Sequence, residues 1–243
     1  GGGGENPNLW EDDAVRQSWI AYQNSLDAEQ DICYVQGEML PVSRLSPRNI
    51  RRAGDGAKLI SGNDTAGYTF RGRFETASEA VSIARETTEK AHSALRWLIS
   101  RQGFVSDGQV MLAWISGKEQ PPSRMLSASS CDILSCLEPE APPPSTGEEF
   151  AARFRQALTR QSAQLEGWER AAVMGLDAAT PGRLSVTYYR EMDAEDLMKR
   201  IADWHESCSW LHTYRSMPNG TDEKGKVIYV RAPFIGAPSP WDI

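Results

Sequence analysis

Apolar positions along this chain switch between a helical period and an alternating one, so helices and strands are expected to follow one another. Val15, Trp19, Tyr22 and Leu26 recur at helical spacing within Asp12–Leu26, predicting a helix whose beginning is expected upstream. Ile32–Val35 predicts a short strand before a turn at Gly37-Glu38, and Pro47 keeps Arg44–Ile50 irregular. Ala57–Ser61 and Tyr68–Phe74 predict strands around a turn at Asn63, Asp64 and Gly67. The clearest helix is predicted from about Ser78 to Gln102, with Thr76 and Glu79 at capping-box spacing and Gly103 closing it. Its buried stripe is expected at Ala84, Thr88, Ala91, Leu95 and Leu98, which leaves His92 on the polar face. Val110 to Ile115 are all apolar, as in a central strand covered on both faces.

The second half follows the same logic. Glu119–Ser145 holds six of the fourteen prolines and a cluster of serines, and reads as a linker or surface excursion. Thr146 and Glu149 open a helix carrying Phe150, Phe154, Leu158, Leu165, Trp168 and Ala172 on one side. Arg183–Arg190 predicts a strand, and Asp193 caps a helix through about Tyr214. That helix is expected to turn Leu197, Ile201, Trp204, Cys208 and Leu211 inward, and it places His205 and His212 on one face. Lys226–Arg231 predicts a last strand. The fold class expected is α+β or mixed α/β, with several helices packed on a mixed β-sheet. Residues 1–4 read as a tag or placeholder, 5–118 as a basic, Gly-rich region with its long helix, and 119–145 as the Pro/Ser-rich linker; 146–243 is expected to pack in the same domain as 5–118.

Charge changes the picture more than length does. The 243 residues suffice for a buried core, and their net charge of −7 argues against nucleic acid as a general partner. Residues 44–73 nevertheless hold seven basic and two acidic side chains, so this segment is +5 and the remainder −12. Local field decides where a phosphate backbone settles. Arg48, Arg51 and Arg52 crowd a loop, and Gly54, Gly56, Gly62, Gly67 and Gly72 allow backbone amides to approach a ligand. Lys58, Arg71 and Arg73 join them, the last two on one face of the predicted strand, while Asn63 and Tyr68 are candidate base or sugar contacts. The plainer reading of the same residues is a solvated loop that pairs with the acidic body.

Other chemistries find less support. Gly54-Asp55-Gly56-Ala57-Lys58 lacks the spacing of a nucleotide-binding loop. Cys131 with Cys136, and His205 with Cys208, lack zinc-ribbon spacing. His92, His205 and His212 are tied by spacing to no nucleophile or carboxylate pair. No catalytic residue, metal or cofactor is therefore expected. Four cysteines without an export signal predict reduced thiols in a cytoplasm, and no apolar run is long enough to span a membrane. Trp97, Trp114, Trp168, Trp204 and Trp210 read mostly as core by period.

Four ordered blocks carry a resemblance. They are Gly56–Asp64 with Gly67–Phe74, Lys90–Ile99 followed by Arg101-Gln102-Gly103, Ala179–Glu191, and Trp204–Cys208 leading to Phe234–Pro240. Together with Cys33–Val35 and Gly37-Glu38, they resemble the large subunit of the type I-C (Dvulg subtype) CRISPR Cascade surveillance complex, of which the chain looks like an internal piece. The resemblance implies a non-catalytic, cytoplasmic component of antiviral defence that helps bind target DNA and assemble the complex. It implies as partners the other Cascade subunits, guide RNA, target double-stranded DNA and a recruited helicase–nuclease. In such complexes base pairing reads the long sequence, while protein reads a short motif and holds displaced strand by charge. The alternatives are a purely structural subunit-docking region and a metal-dependent nuclease.

Overall fold

The computed structural model describes residues 9, 11–26, 29–62, 71–116, 133, 147–162, 170–221 and 225–238. The class is α+β: among these residues the helices accompany three antiparallel sheets. Two compact units divide the chain, residues 1–95 with 179–184, and residues 96–178 with 185–243.

In the first unit, α1 (Asp13–Ser25) begins where Asp12 caps it. The Asp12 carboxylate accepts from the amides of Ala14 at 2.8 Å and Val15 at 3.4 Å, so the helix starts here and not upstream. Strands β1 (Gln30–Ile32), β2 (Met39–Ser43) and β3 (Ile83–Ala84) form one sheet in that order. The long helix expected from Ser78 is broken. A single turn, α2 (Ala77–Ala80), gives way to extended backbone at Val81 before α3 (Arg85–Gln102) begins. The break has a cause outside the segment. Ile83 and Ala84 pair with Ser43 and Val42, and β-branched residues favour that ladder. The Arg44 guanidinium also donates to the freed carbonyls of Ser78, at 2.9 Å, and Val81. Thr76 makes no capping bond, and Glu79 accepts instead from the Glu75 amide at 3.0 Å.

Arg44 does more. It reaches Glu29 at 2.6 Å and Asp31 at 3.0 Å, and it holds both carboxyls below their ordinary range. One side chain thereby joins β1, β2 and the end of α2. The buried face of α3 is also rotated from the expected stripe: Thr88, His92, Ile99 and Gln102 are buried, whereas Ala91 is exposed. His92 is inward because its Nδ1 bonds the Thr88 carbonyl at 2.6 Å, which satisfies that nitrogen within the helix. Gly103 does close α3; a Cβ there would lie 2.7 Å from the Ile99 carbonyl oxygen that its amide bonds.

The second unit is built on a sheet ordered β4 (Phe104–Ser106), β5 (Gln109–Ser116), β6 (Arg170–Thr180), β7 (Arg183–Asp193). Strand β5 is central, with Val110 and Leu112 buried on one face and Ile115 on the other, as its apolar run predicts. Helix α4 (Gly147–Ser162) does not reach Ala172, which pairs with Trp114 inside β6. Alanine favours helix, but a full ladder against β5 outweighs that preference. Leu165, Trp168, Cys131, Cys136 and all of the Pro/Ser-rich excursion except Ile133 lie outside the described residues.

Helix α5 (Ala194–Ser207) is shorter than expected, and β8 (Trp210–Thr221) replaces its predicted end by pairing with β9 (Val227–Gly236). His212 therefore sits on a strand, not on the helix face of His205. Trp204 and Leu211 are exposed, while Leu197 and Ile201 join Phe154, Ile115 and Val173 in the core. Trp97 and Trp210 are likewise exposed, and Trp97 lies beneath the Arg101 guanidinium at 5.0 Å. Asp193 makes no capping bond because its carboxylate pairs with Arg170 at 2.7 Å. His205 is buried against Phe154, ring centroids 4.8 Å apart, and desolvation lowers its pKa to about 4.

Two measurements test this fold. Arg44→Ala should lower stability by roughly 2 kcal/mol, because the Ser78 and Val81 carbonyls lose their donor. Urea melts of the variant read that loss, and an unchanged midpoint would contradict the clamp. His205 titrates near 6.5 when unfolded and near 4 when folded, so its contribution is complete above pH 6.5 and is lost as pH falls toward 4. That share is on the order of 3 kcal/mol, and His205→Phe should remove it from a pH series of melts.

Candidate nucleic-acid interface

Within the basic segment, residues 46–60 fold as a closed loop. Ser46 staples its ends: its amide and hydroxyl donate to the Ile60 carbonyl at 3.0 and 2.8 Å, and the hydroxyl accepts from the Ile60 amide at 2.7 Å. A second tie runs from the Asn49 amide to the Asp55 carbonyl at 2.9 Å. Asn49 and Gly54 take positive φ values of 60° and 79° to turn the chain between these ties. Ile50 and Ala57 fill the loop from beneath, at 2% and 0% exposure. A loop so tied holds its outward side chains in a fixed frame.

The arginines in it have different tasks. Arg51 forms a two-point pair with Asp55, at 2.8 and 3.1 Å, with both side chains largely buried. Arg51 holds the Asp55 carboxyl below the usual range, the Ala57 amide assists, and burial opposes. Its charge is thus paired within the loop. Arg48 and Arg52 are exposed on the same loop, and Lys58, half-buried, leaves it. Arg71 and Arg73 are exposed but flank Gly72 in a turn at φ 90°, so the expected strand does not align them on one face. Asn63 and Tyr68 lie outside the described residues, as does Gly67. Gly62 has a packing role: a Cβ there would sit 2.3 Å from Val81 Cγ1, closer than any ligand argument requires.

The sequence reading passed over Arg183. Two bonds join Lys58 to the hairpin tip between β6 and β7, from the Lys58 amide to the Gly182 carbonyl at 3.2 Å and from the Leu184 amide to the Lys58 carbonyl at 2.9 Å. They place Arg183 opposite Lys58 in a parallel bridge. Only the basic residue following a Pro181-Gly182 turn signals this in sequence; the partner segment does not. Among the described residues no cluster of three or more His, Cys, Asp or Glu side chains could hold a metal, and no helix is long and apolar enough to cross a membrane.

Comparison with known families places the chain in the CRISPR-associated class. It belongs to the CRISPR-associated protein family Cas_Csd1, whose profile matches residues 3–243. No curated protein matches it.

The loop makes its own prediction. Asp55→Asn should cost about 1–3 kcal/mol by removing the charge that faces Arg51, and hydrogen exchange at the Ala57 and Asn49 amides should quicken. The Asp55 contribution is present above the unfolded carboxyl pKa of 3.8 and is lost as pH falls through the lower folded value. Unchanged exchange in the variant would show that the pair does not order the loop.

Proposed function

We propose that this chain is part of the large subunit of a type I-C surveillance complex, a cytoplasmic, non-catalytic component that grips nucleic acid by its backbone and docks on neighbouring subunits. One observation carries the reading. Of the seven cations in residues 44–73, Arg44 and Arg51 are matched by Glu29, Asp31 and Asp55. Among the described residues, Arg52, Lys58, Arg71 and Arg73 are matched by no carboxylate. The charge excess of the segment therefore falls on groups that face outward, where counterion release favours a polyanion. Arg48 is exposed on the loop surface. Family membership supplies the context in which guide RNA and target DNA are the polyanions at hand.

The non-catalytic reading rests on where the imidazoles go. His205 is packed on Phe154 and His92 is bonded to Thr88, so neither is offered to a substrate. A docking role is favoured by α1, whose Val15, Trp19 and Tyr22 are 42%, 61% and 54% exposed. A neighbouring subunit is the partner this family context provides.

Arg71→Ala with Arg73→Ala should weaken target-DNA binding by the assembled complex at all sequences. The slope of log affinity against log salt should flatten by up to about 0.9 per lost phosphate contact. An intact complex with unchanged affinity and slope would reject the backbone contacts. Failure of the complex to assemble, with the subunit still folded, would favour the docking role instead.

A further inference from the structure

We infer that Lys58 and Arg183 form a clamp for a single phosphodiester group, built where the β6–β7 hairpin tip joins the basic loop. The clamp rests on the nucleic-acid reading above and adds to it a residue from a distant part of the chain. Its geometry is set by backbone. Lys58 bonds both Gly182 and Leu184, which makes Arg183 its direct partner across the bridge. Ala57 and Leu184, the next residues along each segment, are 0% and 3% exposed and point inward. Alternation along extended chain then sends Lys58 and Arg183 outward together.

Like charges placed directly opposite one another repel and destabilise the pairing. Three other cations of this unit are neutralised: Arg44 by Glu29 and Asp31, Arg51 by Asp55, Lys90 by Glu86. Among the described residues neither Lys58 nor Arg183 has a carboxylate, and Asp55, three residues from Lys58, is occupied by Arg51 and the Ala57 amide. The bridge thus retains a repulsion that an anion between the two heads would relieve. Both heads donate and neither accepts, so the ligand must offer at least two acceptor oxygens and a negative charge. A phosphodiester has two non-bridging oxygens, one for the point charge of lysine and one for the planar fork of arginine. Arg183 is exposed, so the site is open on that side and a polymer backbone can run through it.

The test uses the assembled complex with a short target duplex and a single-stranded RNA as separate probes, titrated over a salt series. Lys58→Met and Arg183→Met should each weaken binding by about tenfold, the scale of one charge-assisted bond. If one phosphate is shared, the double variant should be little weaker than either single one. Its salt slope should then flatten by about 0.9, where two separate phosphates would give about 1.8. Thermal midpoints of the single variants should hold or rise, because a repulsion has been removed. A coupled loss with the duplex, the RNA or both supports the clamp and names its source. Additive losses with the steeper slope change overturn it, as does unchanged affinity in all three variants while Arg71→Ala with Arg73→Ala still weakens binding. If the unaltered complex binds neither probe, the nucleic-acid reading itself fails and the clamp falls with it.

Discussion

The arrangement of the first unit depends on one guanidinium. Arg44 meets two carboxylates on one side and two main-chain carbonyls on the other, so its planar set of donors is divided between β1 and the end of α2. Without it the carbonyls of Ser78 and Val81 would favour continuing the helix, and the sequence from Ser78 onward is suited to that. The chain instead leaves helix for four residues, adds a strand to the sheet, and restarts as α3. Gly62 then fits against Val81, and its amide bonds the Arg44 carbonyl, which sets where the basic loop ends.

This arrangement sorts the charges of the basic segment into two kinds. Arg44 and Arg51, which meet carboxylates, become parts of the frame. Arg52, Arg71 and Arg73 are exposed and meet no carboxylate among the described residues. The distinction matters for an acidic protein. A net negative body repels polyanions at long range, so any nucleic-acid contact must be short-range and placed with care. A stapled loop meets that requirement better than a flexible basic tail, since its side chains need less ordering on binding.

What could be read in advance follows from how local each cause is. Strand β5 was legible because its apolar run is self-contained, and α1 because of its apolar spacing, although its start at the Asp12 cap was not. The four motif blocks were legible as a pattern, and the family assignment agrees with the CRISPR association that they imply. The break at Val81, the strand character of Ala171–Ala178 and the replacement of the end of α5 by β8 were not legible, because each depends on a distant ladder. The site divides in the same way. Pro47 and the glycines marked the loop, but the pairing of Arg51 with Asp55 and the approach of Arg183 to Lys58 need the folded chain. His92 was misplaced because its Nδ1 finds the Thr88 carbonyl inside the helix rather than water.

The boundary between the units has a further consequence. The chain crosses it inside α3, inside β6 and again inside β7, so no single linker separates the two. A piece cut after the first unit's continuous stretch would lose residues 179–184, and the main-chain groups of Lys58 would lose their partners. The halves are therefore unsuited to exchange as cassettes between relatives. Recombination that preserves the loop must carry the distant hairpin tip with it.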